Sequence, residues 1–318
     1  MSPSSPVAPW VVVGESLLDV VVDQHGESSS AVGGSPMNVA VGLARLGVPT
    51  LLITQVGDDD NGRRVVEHVR ASGADITDSS IQPGRRTSTA VARLGEGNAA
   101  SYDFDLSWEP AHQDLPDAAG LHVGSLGASL APGRAVVLGL ARRAADRDLF
   151  LSYDPNIRSA FVGDDLGQAW RDVTEIASLS NLIKVSDEDL HTLRPDQPVT
   201  AVAHDLLAGE RTELVIITSG GAGAAAITDV FEIEVSAPPV DVVDTVGAGD
   251  SFMAAVLALL LDWAVPANRA GGLSQLGEDK VRLLLEGAMA AAAVTCARRG
   301  ANPPTRKELP TARPQPRS

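Results

Sequence analysis

The chain is 318 residues long and 44% hydrophobic, enough to bury a large core as one α/β domain or two smaller ones. Its 25 basic and 41 acidic residues give a formal charge of −16, which opposes nucleic acid and anionic membranes and leaves small molecules as the expected partners. The one cysteine, Cys296, excludes an intrachain disulfide framework and a cysteine-based zinc site. Residues 1–9 have neither a basic n-region nor a long apolar h-region, and the longest apolar run is too short to span a bilayer. A soluble cytoplasmic protein is expected.

Residues 1–9 and 305–318 are rich in Ser, Pro, Thr or Arg and read as disordered tails around one domain, 10–304. Strands are predicted over 10–13 and 17–22, with Asp19 interrupting the second. Such a carboxylate either faces solvent from a half-exposed strand or binds something polar. Next comes Gly33-Gly34-Ser35-Pro36-Met37-Asn38, where Ser35 as N-cap, Pro36 at the first helical position and Gly47 beyond the end predict a helix. The glycine pair lets the backbone approach a ligand, and the Asn38 amide both donates and accepts, which suits a polyol. A plain glycine-rich turn with an exposed Asn38 is the alternative.

A strand over 50–56 and a helix over 62–72 follow. The acids Asp58, Asp59 and Asp60 do not make a calcium loop, because the glycine falls one position early and no Glu closes it. Stretches 87–94 and 99–104 flank Gly95-Glu96-Gly97-Asn98, a hairpin signal that breaks the βα alternation. Tyr102 and Phe104 share one face of it, to stack on a ligand or to pack the hairpin on its neighbour. Strands at 121–123 and 149–153 enclose a helix over 132–145, and Asp154-Pro155-Asn156-Ile157-Arg158 follows the second. Open α/β sheets bind ligands beyond such strand ends. A strand over 182–185 leads into Ser186-Asp187-Glu188-Asp189 at a helix start, and one over 214–217 into Thr218-Ser219-Gly220-Gly221-Ala222-Gly223. This alternation predicts a parallel α/β fold.

The stretch Asp244-Thr245-Val246-Gly247-Ala248-Gly249-Asp250 runs into an apolar helix over 252–261. Gly247 and Gly249 let backbone N–H groups close on an anion at the positive end of that helix, with Ala248 between them. Asp250 at the helix start is either an N-cap or a base that takes a proton from an alcohol. A phosphate nest beside a base points to phosphoryl transfer. No Gly-Lys-Ser/Thr occurs, lysine standing only at 184, 280 and 307, so the loop is not a Walker A. Phe252 replaces the last glycine of a dinucleotide fingerprint, which argues against an oxidoreductase.

Taken together, Gly33-Gly34-x-Pro36-x-Asn38 and Asp244-Thr245-x-Gly247-Ala248-Gly249-Asp250-x-Phe252 resemble the two signatures of the ribokinase-like (PfkB) carbohydrate kinases. The resemblance covers residues 10–304. It implies a three-layer α/β/α sandwich with a mostly parallel central sheet and a small β-sheet lid, built from about 15–32 and 86–107. It also implies ATP with Mg2+ as donor and a sugar's primary hydroxyl as acceptor. Asp250 is then the base and Gly247, Ala248 and Gly249 the anion hole. Asp19, Gly33, Gly34, Asn38, Tyr102, Phe104 and Arg158 are then expected on the sugar. Thr218, Gly220, Gly223 and Gly249 are expected on the nucleotide.

The family's Asn-x-x-Glu motif is met here by Lys184-x-x-Asp187, a departure at both ends; Lys184 is expected near the nucleotide and Asp187 near magnesium. Asp244 is expected at a monovalent-cation loop, where potassium activates. Gly14-Glu15, Tyr102-x-Phe104 and 154–158 look most like fructokinases, so fructose leads. Alternatives are 2-keto-3-deoxygluconate, ribose or a nucleoside as acceptor, or a sugar-binding regulator without catalysis. Lid strands have open edges, through which a homodimer is expected.

Overall fold

A computed structural model describes residues 8–94, 100–263, 265 and 272–309. In chain order the first elements are β1 (Trp10–Val13), β2 (Leu17–Val22), β3 (Ser28–Gly33), α1 (Ser35–Arg45), β4 (Thr50–Ile53), β5 (Val56–Gly57), α2 (Asp60–Ala71), β6 (Asp75–Ile76), β7 (Ile81–Gln82), β8 (Thr89–Leu94) and β9 (Ala100–Asp105). There follow β10 (Gly120–Gly124), α3 (Ser125–Ser129), α4 (Arg134–Asp146), β11 (Leu151–Asp154), α5 (Leu166–Ala177), β12 (Leu182–Ser186), α6 (Asp187–Leu193) and α7 (Val199–Leu207). The last are β13 (Leu214–Thr218), β14 (Gly223–Ile227), β15 (Glu232–Ser236), α8 (Ala248–Asp262) and α9 (Glu278–Cys296).

Nine strands form the central sheet in the order β15-β14-β13-β12-β11-β10-β1-β4-β6. All neighbours from β13 to β6 run parallel, and β14 and β15 close one edge antiparallel. Parallel strands covered on both faces must be apolar on both, and β1 reads Trp-Val-Val-Val for that reason. Trp10 and Val12 enter the core under α1, α8 and α9, while Val11 and Val13 enter the one under α4, α5 and α7. Helix α8 lies between α1, α9 and the sheet and is buried continuously from Asp250 to Ala258. An all-round apolar helix needs such a position.

A separate four-stranded sheet, β3-β2-β8-β9, is formed by strands from the two segments in which the lid is expected. Its register sets Asp19 opposite both Ala31 and Ala90, and Ala90 opposite Phe104, so Asp19 and Phe104 lie in one cross-strand row on the same face. The Asp59 carboxylate fastens the lid's base to α2: it caps the helix through Gly62 N at 2.8 Å and accepts from Thr87 N and Oγ1 at 2.9 and 2.6 Å.

Three sequence expectations change. Ser35 is not the cap of α1; Gly34 holds that position at φ 114° with no side-chain cap bond, and the Ser35 hydroxyl is turned elsewhere. Strands β3 and β15 were not anticipated, because Ser28-Ser29-Ser30-Ala31 and Glu232-Ile233-Glu234 are weak strand sequences that pairing stabilises. Residues 305–309, expected in the tail, are folded on the body: Arg306 pairs with Asp262, Arg298 with Glu308, and Leu309 packs on the core. The hairpin turn at 95–98 and both tails, at 1–7 and 310–318, lie outside the described residues.

Candidate active site

The carboxyl ends of β1, β10, β11 and β12 and the N-terminal turns of α1 and α8 converge. Asp250 is buried there, at the third position of α8, with Gly247 as the N-cap in the left-handed region at φ 76°. The reading of Asp250 as a cap therefore fails. Its Oδ1 accepts from Ser35 Oγ at 2.6 Å and its Oδ2 from Asn38 Nδ2 at 2.8 Å. Burial pushes the Asp250 pKa above the usual aspartate value, opposed by those two hydrogen bonds and by Lys184 and Arg158. A carboxyl so placed is a stronger base than one in water, while its neighbours favour its ionised form.

Lys184 and Asp154 form a buried ion pair, Nζ to Oδ2 at 2.9 Å, 5% and 1% exposed as residues. The register of β11 with β12 puts them side by side, because Tyr153 already faces Ile183. Burial alone would depress the Lys184 ammonium, but Asp154, with Asp189 and Asp250 behind it, holds its pKa above the usual lysine value. The ammonium lies against Gly249: a Cβ there would sit 3.0 Å from Nζ. A fixed positive charge thus backs the glycine turn that lacks a Walker lysine.

In the small sheet, Asp19 is exposed at its surface. A Cβ on Gly33 would lie 2.1 Å from its Oδ2, and one on Gly34 would lie 2.5 Å from the Glu15 carbonyl oxygen. The glycine pair therefore lets α1 close on β1 and β2. Partial burial raises the Asp19 pKa and Arg158 opposes it. Arg158 is exposed, within electrostatic reach of Asp19, Asp250 and Glu15. Phe104 packs edge-on against Phe161, ring centres 5.0 Å apart, which joins the lid to the loop carrying Arg158. Tyr102 pairs with Ala92 in the lid, and its side chain lies outside the described residues.

Glu15 is a group the sequence reading used only as part of a motif. Its carboxylate is buried and accepts from Gly127 N at 2.7 Å; burial pushes its pKa up to about 7, against the bonds from Ser125 and Gly127. Ser125 at φ 54° and Asn156 at φ 39° stand beside it, their side chains 3.4 Å apart. Non-glycine residues in that region store strain and gather at ligand sites.

On the opposite side, Asp244 accepts from Gly300 N at 2.8 Å and from Val246 N at 3.0 Å, and these bonds hold its pKa below the usual value. Gly247 must be glycine for a second reason, since a Cβ would lie 2.7 Å from that of Ala301. Thr218 ends β13 opposite Ser186, and Gly220 and Gly223 turn the chain into β14 at φ 48° and 130°. Asp187 opens α6 half-buried. The buried carboxylate is Asp189, which closes a capping box with Ser186 and accepts from Ile157 N at 2.8 Å. Among the described residues no group of three or more His, Cys, Asp or Glu could hold a metal. No helix among them is long and apolar enough to cross a membrane.

The chain matches the family model described as pfkB family carbohydrate kinase over residues 9–308. A fructokinase from Klebsiella pneumoniae is 34% identical over 271 residues, 82% of this chain and 87% of that protein. The structure of a fructokinase with bound ATP from Xylella fastidiosa is similar with a TM-score of 0.78 at 23% identity, over 95% of each chain. That of a fructokinase double mutant from Vibrio cholerae O395 in a fructose, ADP and potassium ion bound form reaches 0.75 at 25% identity, over 94% of this chain and 95% of that one.

Proposed function

This chain belongs to the pfkB family of carbohydrate kinases, and from that premise we propose that it moves the terminal phosphoryl group of ATP to a primary hydroxyl of fructose. The observation that carries the mechanism is Asp250, buried at the start of α8 with both oxygens held. The acceptor hydroxyl gives its proton to Asp250 as its oxygen bonds to the γ-phosphorus, and the bond to the ADP oxygen breaks. The N–H groups of Gly247, Ala248 and Gly249 meet the phosphoryl oxygens, and Lys184 supplies charge behind them. Because the transition state is loose, positioning and electrostatics carry most of the rate, and the base adds roughly 10²- to 10⁴-fold.

Asp19, Gly33, Gly34, Asn38 and Arg158 surround the sugar, and Phe104 with Tyr102 closes the lid over it. Exclusion of water protects the phosphoryl group from hydrolysis. Asn38 uses its Nδ2 on Asp250, which leaves its Oδ1 for a sugar hydroxyl. Thr218, Gly220 and Gly223 line the nucleotide. Asp187, half-buried at the start of α6, would hold a hydrated magnesium ion, which would supply charge to neutralise the phosphates. The loop that Asp244 organises through Gly300 N and Val246 N would hold a potassium ion. The open edges of β3 and β9 join two lids in a dimer.

The test is ADP release from Mg·ATP with fructose, ribose, 2-keto-3-deoxygluconate, tagatose and adenosine. We expect fructose to give the highest kcat/KM. Preference for another acceptor would replace fructose and keep the phosphoryl transfer. Bound ATP with no turnover on any of them would favour a non-catalytic regulator.

A further inference from the structure

The two donors on Asp250 come from one helix turn. Ser35 and Asn38 are three residues apart at the start of α1 and so share a face, each spending a donor on a different carboxylate oxygen. Asn38 has a second role available through its Oδ1. Ser35 has none described: it caps nothing, is 6% exposed, and its hydroxyl makes only the 2.6 Å bond to Asp250, 215 positions away. Gly34 takes over the helix cap at a φ that favours glycine, which frees the hydroxyl for this contact.

We propose that Ser35 is a positioning residue for phosphoryl transfer: its hydroxyl fixes the plane of the Asp250 carboxylate and favours its ionised form, leaving the outer lone pairs for the acceptor hydroxyl. The inference rests on Asp250 as the base. A carboxylate offers about four acceptor directions; Ser35 and Asn38 occupy one on each oxygen, which leaves acceptor capacity on both for a substrate hydroxyl. A buried carboxylate that lost the shortest of these donors would protonate more readily and rotate more freely.

The charged groups around Asp250 leave this effect separable. Lys184 approaches from β12 and Arg158 from the loop after β11, both favouring the ionised form, and Asp154 acts behind Lys184. None of them touches Ser35 in any described hydrogen bond. Removing the Ser35 hydroxyl therefore changes one donor and no formal charge.

The experiment compares the full-length protein with Ser35→Ala, Ser35→Cys and Asp250→Asn, measuring kcat/KM for the acceptor across pH at saturating Mg·ATP, with thermal melting as the folding control. In Ser35→Ala the acid-limb midpoint is expected to rise by about one pH unit, the worth of one hydrogen bond to a charged group. At one unit below the wild-type midpoint that is about a tenfold extra loss. At the alkaline plateau the rates converge to within about threefold, and the KM for ATP stays unchanged. Ser35→Cys, a weaker donor of similar size, falls between the two. A Ser35→Ala midpoint equal to wild type, with Asp250→Asn inactive, would overturn the role of Ser35 and leave the base in place; a uniform loss at every pH would overturn it too. Wild-type turnover in Asp250→Asn would remove the base, and this inference with it.

Discussion

Replacing Lys184 with Met breaks the buried pair while keeping the side chain's length. Asp154 is then an uncompensated carboxylate with its Oδ1 already unpartnered, in a position 1% exposed. Breaking a buried pair from one side costs about 3–5 kcal/mol, and at roughly 2–4 °C per kcal/mol the melting temperature should fall by roughly 6–20 °C. The loss should depend on pH. Burial raises the Asp154 pKa to about 6 even with Lys184 opposing it, and removing the ammonium raises it further. A carboxyl raised in the folded state loses stability as pH climbs from its unfolded value, about 4, through its folded one. The deficit of Lys184→Met should therefore be small at pH 5 and clearly larger at pH 8. Adding Asp154→Asn removes the stranded charge and should recover most of the loss. Melting curves of the two variants at pH 5 and pH 8 decide it. A single mutant as stable as wild type at pH 8, or one whose deficit is the same at both values, refutes the argument that this pair is a desolvated charge couple.

Gly247→Ala should force φ 76° on alanine, at about 1–2 kcal/mol, and drive a Cβ into Ala301; we expect turnover to drop more than tenfold with a higher KM for ATP, and wild-type values in an ATP titration would count against the tight turn. Phe161→Ala removes the edge contact with Phe104, worth about 0.5–1.5 kcal/mol beyond burial. The KM for fructose should rise several-fold and acceptor-free ATP hydrolysis should increase, whereas unchanged coupling would show that this contact does not hold the lid. Replacing potassium with a tetraalkylammonium salt should slow turnover, and equal rates would discard the cation's role.

Local signals in the chain carried much of the site. Gly247-Ala248-Gly249 before an apolar run located the start of α8 and Asp250, because a left-handed N-cap and an all-buried helix each leave a compositional mark. The antiparallel pairing of β8 with β9 was legible from the break in the βα pattern. Contacts made by the folded chain were not. Ser35 reads as a cap by every local rule, and only the packing of α1 on α8 turns its hydroxyl to Asp250. Lys184 and Asp154 meet through strand register, which no single stretch encodes. Asp189 carries a signal in the sequence, since Ser186-x-x-Asp189 has the spacing of a capping box. Glu15 hides as an acid beside Gly14 whose burial depends on α3.

The central claim is that Asp250 is the base of a fructose-phosphorylating site. The most direct measurement pairs ADP release from Mg·ATP and fructose with calorimetric fructose binding, for the wild type and Asp250→Asn. The account predicts steady release by the wild type, a loss of roughly 10²-fold or more in the variant, and fructose affinity within a few-fold of wild type. Undiminished ADP release by Asp250→Asn would contradict it.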